Sequence, residues 1–368
     1  MSGSSIGKLF SVTTWGESHG SAIGVTIDGC PAGLSLNESH IQQYLERRKP
    51  GQSEFTTSRK ETDKVELLSG VFQGQTTGTP ISLMVRNENH QSRDYQELAE
   101  VFRPGHADYT YQAKYGLRDY RGGGRSSGRE TVGRVAAGAV ASMLLSEFGI
   151  TLISFAKAIG PILIPSEDYH FDEIKTNPLY MPNNSYAKKA QAHLQTAIST
   201  GDSCGGIIEC MAKGMPSGIG EPVFDKLDAR LATAIMSIGS VKFVEIGDGI
   251  KAVNALGSQN NDTFFSEDNR IQKRTNHSGG ILGGISDGSC LIVRAGVKPT
   301  PSISVPQSTV TSTGKPHTLS VHGRHDPCIV PRAVVVVEAM VAITLVDLLL
   351  QNMGSRLDYL RKIYSTSD

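Results

Sequence analysis

Residues 333–350 are the longest apolar stretch of the chain, and no other segment limits the fold as strongly. Glu338 and Asp347 interrupt it, and a charge at the centre of a bilayer is expensive, so the stretch predicts a buried helix of a soluble protein. Pro331 suits the first turn of that helix, which should run to about Asn352. A chain of 368 residues, 38% of them hydrophobic, can supply the core such a helix needs, which argues against disorder. Length alone fits two domains or one large one. No Pro/Ser-rich linker and no charge block divides the sequence, so we expect one large α+β domain over residues 1–368, with a mobile tail at about residues 355–368.

Upstream, residues 8–15 and 22–27 carry the β-branched and alternating patterns of a hairpin, broken by Gly16-Glu17-Ser18-His19-Gly20. Asn37 or Ser39 should cap a helix through Arg48, ended by Pro50-Gly51. Residues 54–84 return to strands punctuated by Gly70, Gly74 and Gly78. A helix starting at residues 127–130 should pass through Arg134 to Gly149. Two more are expected over residues 186–200 and 225–236, on either side of a glycine-rich strand at residues 204–211. Residues 251–276, polar and poorly periodic, read as a long surface loop. An arginine-bearing loop that leads into an arginine and an apolar helix occurs twice, at Arg125 and Arg134 and at Arg324 and Arg332, a faint internal echo.

The five cysteines, Cys30, Cys204, Cys210, Cys290 and Cys328, are odd in number, widely spaced and free of C-x-x-C. Neither a disulfide framework nor a thiolate zinc site is indicated, and a reducing, cytoplasmic compartment fits. The start, Met-Ser-Gly-Ser-Ser-Ile-Gly-Lys, lacks the basic and apolar regions of a signal peptide. Lys and Arg number 36, as do Asp and Glu, so the net charge is zero and nucleic-acid binding by an overall field is not expected.

The neutral total hides a local surplus. Residues 103–134 hold Arg103, Lys114, Arg118, Arg121, Arg125, Arg129 and Arg134, with His106, against only Asp108, Asp119 and Glu130. Gly122-Gly123-Gly124 and Gly128 are interleaved, and a helix start follows at Ser126, Ser127 and Thr131. Glycines let backbone approach a ligand, helix-start amides point donors outward, and arginine forks match carboxylate and phosphate oxygens. A small, multiply anionic ligand would need this set, whereas a solvated basic face beside a flexible loop would not need the glycines. The pattern is neither a dinucleotide fingerprint nor a phosphate-binding P-loop, because Gly314-Lys315 lacks the earlier glycine and precedes Pro316.

Gly16-Glu17-Ser18-His19-Gly20 matches the hydrolase G-x-S-x-G, yet that elbow needs a helix directly after the serine, and residues 22–27 are strand-like. A serine hydrolase using Ser18 is the rival enzyme class, and a non-catalytic anion-binding module is the rival without chemistry. His106, beside the arginines and Asp108, suits a proton donor to a leaving oxygen. His322, Arg324, His325 and Asp326 raise the thought of a metal, but the spacing supports none, and Asp326 reads better as a base or orienting carboxylate. Residues 298–302 form a rigid turn with a lysine and hydroxyls. Gly279-Gly280-Ile281-Leu282-Gly283-Gly284 would let backbone approach something flat.

Together, Gly16-Glu17-Ser18-His19-Gly20 and the runs at residues 103–111, 115–127 and 323–328 resemble the chorismate synthase family, from Gly7 to the helix after Pro331. The resemblance implies a β-α-β sandwich with helices between antiparallel sheets and a homotetramer. It implies a lyase that eliminates phosphate from 5-enolpyruvylshikimate 3-phosphate in a 1,4-anti sense. It also implies a flavin, reduced FMN with FAD as the related form, and NADPH as a conceivable reductant. Carried over by motif, His106 is the acid at the phosphate, His19 the proton donor to the flavin, and Asp326 the group managing the flavin N5 proton, with Ser18 and Ser127 in supporting hydrogen bonds. FMN contacts fall on Arg125, Ser126, Ser127, Gly239, Ser240, Gly283, Lys298, Pro299, Thr300, Pro301, Ser302 and Arg324. Arg48, Arg134 and Arg332 are assigned to substrate or nicotinamide phosphate. Glu54 stands where many relatives have arginine, and Gly239-Ser240 where Asn-Ala is frequent. No metal, nucleic acid or membrane is implied.

Overall fold

A computed structural model of the chain describes residues 3–51, 55, 61–87, 97–321 and 326–365. Among these the helices are α1 (Glu38–Arg48), α2 (Asp108–Tyr115), α3 (Thr131–Glu147), α4 (Asn184–Ser199), α5 (Leu227–Met236), α6 (Gly257–Asn260), α7 (Val330–Asn352) and α8 (Leu357–Tyr364). The apolar stretch is the body of α7. It is long and apolar enough to cross a membrane, and 83% of its most apolar window is buried inside the protein.

The two charges in α7 dock it to its neighbours. Glu338, 5% exposed, takes both terminal nitrogens of Arg47 on α1 at 2.7 Å each. Asp347, 1% exposed, accepts the backbone N–H groups of Lys8, Leu9 and Phe10 at 2.8–3.0 Å and Arg230 of α5 at 2.8 Å. A buried carboxylate without such partners would be strongly destabilising.

Two five-stranded antiparallel sheets enclose the helices. The first orders Ser5–Ile6, Ser11–Gly16, Ala22–Asp28, Ile81–Arg86 and Val65–Leu67. The second orders Val241–Ile246, Leu291–Val297, Gly206–Lys213, Thr151–Ile159 and Ile162–Leu163. α3 packs on the first sheet and against α7, α7 packs on the second, and α1 and α5 flank them. Ser154 of the second sheet donates its hydroxyl to the Val334 carbonyl of α7 at 3.0 Å. Where α3 and α7 touch, a Cβ built on Gly138 would lie 2.2 Å from that of Ala339, so only glycine permits this spacing. The result is an α+β sandwich with the helical layer between antiparallel sheets.

One stretch differs from its sequence reading, and two helices lie where the sequence assigned no element. Residues 251–276 contain α6 and a hairpin, Phe264–Glu267 with Arg270–Lys273, in place of a long loop. Asp268 and Asn269 both take positive φ, 48° and 59°, and supply the tight turn that such strands need. The 103–123 segment contains α2, a short helix closed by Gly116 at φ 74°. Residues 357–364, assigned to a tail, form α8, an amphipathic helix with no buried residue.

Candidate active site

A cleft of about 1210 Å³ opens where the N-terminal ends of α3 and α7 meet the C-terminal ends of α1 and α5. Gly122, Gly123 and Gly124 form one wall, all at positive φ, followed by two single 3₁₀ turns that lead into α3. Ser127 ends the first turn and caps the second, its hydroxyl accepting the Arg129 N–H at 3.3 Å. Ser240 and the Lys298 turn also line the cleft, joined by a bond from the Lys298 N–H to the Ser240 carbonyl at 2.9 Å.

His106 sits two residues before α2. Its Nδ1–H donates to Asp108 Oδ1 at 2.9 Å, and its Cε1–Nε2 edge faces Gly123. Asp108, 3% exposed, also receives Arg103 Nε and Nη2 at 2.8 Å each. Burial by itself raises the Asp108 pKa, but the bonds from Arg103 and His106 bring it far below the ordinary carboxylate range. Burial pushes His106 below the usual imidazole value; the Asp108 bond opposes this, and the Arg103 and Lys298 charges add to it. Nδ1 is engaged by Asp108 Oδ1 and lies 3.1 Å from Arg103 Nη2, so Nε2 is the nitrogen left for a ligand.

A buried ion-pair network builds part of the cleft wall, with Asp63 and Asn87 behind the lining. Arg48, 2% exposed, pairs closely with Asp63, which also accepts Arg129 Nη1 at 2.9 Å. Arg129 reaches Glu61 at 3.0 Å and donates Nε to Asn87 Oδ1 at 2.5 Å. The Asn87 amide donates to the carbonyls of Glu17 and Gly20 at 3.0 and 2.8 Å, fixing the turn that carries Ser18 and His19. On the other side, Arg332 donates Nε to the Arg48 carbonyl at 3.0 Å and pairs closely with Asp326.

The chorismate synthase family profile matches residues 10–350. The chorismate synthase of Lachnoclostridium phytofermentans is 60% identical over 365 residues, covering 99% of this chain and 100% of the relative. That of Agathobacter rectalis is 57% identical over 364 residues, covering 99% of each. A crystal structure of chorismate synthase, 32% identical, superposes with a TM-score of 0.77 over 97% of this chain and 96% of that one. The chain belongs to the chorismate synthase family. Membership makes it a lyase of the shikimate pathway, in aromatic amino-acid biosynthesis.

Most residues expected from the family motifs converge on the cleft. Its lining includes His106, Arg125, Ser126, Ser127, Gly239, Ser240, Lys298, Thr300, Pro301, Ser302 and Asp326, together with Arg48, Arg134 and Arg332. Four do not line it. His19 and Ser18, each 6% exposed, lie directly behind Gly122, where an added Cβ would be 2.2 Å from His19 Cε1. Ser18 contacts His19 Nδ1 at 3.2 Å and precedes strand Ala22–Asp28, so the helix a nucleophile elbow requires is missing. Pro299 lies outside the lining, and Gly283 turns the small hairpin Ile281–Leu282 with Ile285–Ser286. Arg324, with His322, His325 and Glu54, lies outside the described residues. Among the described residues no group of three His, Cys, Asp or Glu is placed to hold a metal.

Like Arg48, Arg129 and Arg332, the lining arginines Arg125 and Arg134 are engaged within the protein. Arg125 turns to the first sheet, donating to Thr14 Oγ1 at 2.7 Å and the Gly16 carbonyl at 3.2 Å. Arg134 pairs with Glu130 at 2.8 Å and bonds Ser237 Oγ at 2.6 Å. Sequence reasoning gave no role to Asp63, Glu61 or Asn87. Only Glu61 and Asp63 lie near one another in the chain, and nothing local marks them as partners of Arg48 and Arg129.

Proposed function

We infer that this chain eliminates phosphate from 5-enolpyruvylshikimate 3-phosphate to give chorismate, with reduced FMN held in the same cleft. The observation that carries the reading is His106, fixed by Asp108 in a cleft that Arg48, Arg129, Arg134 and Arg332 line. The substrate brings a phosphate and two carboxylates, which guanidinium forks recognise and which a chain of zero net charge would otherwise not attract. Single small ligands ordinarily occupy pockets of roughly 300–1,000 Å³. A cleft of about 1210 Å³ supports room for a second group. Its donor set fits a flavin phosphate and ring: hydroxyls at Ser126, Ser127, Thr300 and Ser302, and an apolar wall of Ile238, Ile329, Ala333 and Val336.

When bound, reduced FMN supplies the transient electron and the proton acceptor that side chains cannot offer an unactivated C–H bond. The chain's own residues hold and move protons around it. His106 presents Nε2 to the leaving phosphate oxygen, with Asp108 fixing the ring. Arg332 orients Asp326. Asn87 and Gly122 keep His19 against the cleft wall, one glycine away from the ligand. We propose further that the enzyme is cytoplasmic and homotetrameric, and that its FMN is reduced by an outside donor in place of NADPH oxidation by this chain.

Anaerobic incubation with dithionite-reduced FMN and the enolpyruvyl phosphate tests the reading. Chorismate and phosphate should appear in equal amounts. Phosphate-ester binding without turnover would replace the lyase with an anion-binding module. Repeating the assay with NADPH and oxidised FMN should give no product, and light scattering should give four times the chain mass.

A further inference from the structure

We propose that Asp63 is a positioning residue for the reaction: its carboxylate holds the Arg48 and Arg129 guanidiniums as one anion-binding fork on the cleft wall. The inference rests on the reaction assigned above. Arg48 and Arg129 line the cleft, whereas Asp63 stands behind them with a side chain that is 0% exposed. Oδ2 takes Arg48 and Oδ1 takes Arg129, so one carboxylate is shared between two cations. Among the described residues it is the only carboxylate that pairs with Arg48, whose Nε has no hydrogen-bond partner. Arg129 keeps Glu61 and Asn87 as further partners.

The backbone is built to hold this carboxylate in place. Asp63 sits at φ 45°, a left-handed conformation in which aspartate is tolerated and most residues are not. Gln42 of α1 brackets it, donating to the Asp63 carbonyl at 3.2 Å and accepting the Val65 N–H at 3.1 Å. Arg48 lies on the same helix as Gln42, so the base of the fork and its backbone support move together.

Replacement by asparagine exposes what the carboxylate does. The amide has one acceptor and one donor group, so its NH₂ must face one of the two guanidiniums, donor against donor. The released positive charge adds a field that a wet cleft screens, while the displaced arginine forfeits a two-pronged contact with substrate. The lost geometry outweighs the gained charge.

The test uses full-length Asp63→Asn and Asp63→Glu in the anaerobic assay with reduced FMN, with inorganic phosphate as a competing anion and near-UV circular dichroism as a check of folding. Asp63→Asn should raise KM and the phosphate inhibition constant together by about 10–100-fold, with a much smaller fall in kcat, and Asp63→Glu should lie between it and the wild type. A purely structural role would lower kcat with the folded fraction and leave KM alone, and that result overturns the proposal. So does a KM within about twofold of wild type in folded Asp63→Asn. Should the asparagine variant fail to fold, Asp63→Glu decides: KM and the phosphate inhibition constant rising together support the fork, and a lowered kcat with neither of them changed overturns it. A wild-type enzyme that forms no chorismate would count against the assigned reaction and not against the fork.

Discussion

His106 shows how the protonation of a single side chain is set by what surrounds it. Burial and the Arg103 and Lys298 charges disfavour its second proton, and the Asp108 bond favours it. An arriving trianion reverses the balance, because its negative charge beside the ring favours the imidazolium more than burial and the neighbouring cations disfavour it. The His106 imidazole should therefore titrate below its ordinary value of about 6.5 in the free enzyme and above it with a non-reacting substrate analogue bound, as read by NMR. A titration unchanged by the analogue would remove His106 from the phosphate end of the cleft. Substituting His106→Ala should lower turnover by about 10²–10⁴-fold while substrate still binds. His106 was legible because Asp108 lies two residues away and the arginines crowd the same run. Asp63 was not, because its partners lie 15 and 66 residues off, and an isolated Asp between Thr62 and Lys64 has no local signature.

At the scale of elements, α3 and α7 carry the architecture, and both were visible as apolar runs behind arginine-bearing loops. Their closeness was not visible, since Gly138 could as well have marked a weak point in a helix. Gly138→Ala should destabilise the fold by about 1–3 kcal/mol through overpacking, less the smaller gain from alanine's better helix propensity. Denaturant unfolding measures this, and a variant as stable as wild type would mean that the two helices separate at no cost. The 251–276 hairpin was missed for a related reason. Its polar strands lack the alternation that marks a half-buried sheet, and its turn is formed by Asp-Asn at positive φ where Asn-Gly or Asp-Gly is the familiar signal.

For the molecule as a whole, the carboxylates that organise the cleft also set its response to acid. Burial raises the Asp63 pKa, but Arg48 and Arg129 outweigh it and bring the value down from 3.8 to about 2. A depressed carboxylate stabilises the fold above the unfolded pKa and loses that contribution as pH falls through the folded one. Asp63 thus contributes about 2 kcal/mol near neutrality, lost between about pH 4 and pH 2. Asp108 acts in the same direction, and neutral buried His106 adds a loss beginning near its ordinary value. Unfolding free energy should fall steadily on acidification, with a shallower slope below about pH 4 in Asp63→Asn. Equal slopes would show that the fold does not depress the Asp63 pKa.

The sequence by itself determined the buried helix, the hairpin that opens the chain, the cationic run at residues 103–134 and, through its motifs, the family. These are local properties, written in periodicity and in neighbours a few positions apart. Only the tertiary structure decided which cations line the cleft and what holds each of them. Arg125 and Arg134 are held by Thr14, Glu130 and Ser237. Arg48 and Arg129 share Asp63, and Arg332 reaches back across 284 positions to the Arg48 carbonyl. The charge a cleft presents is what remains after such pairings, and they form between residues that only folding brings within hydrogen-bond distance.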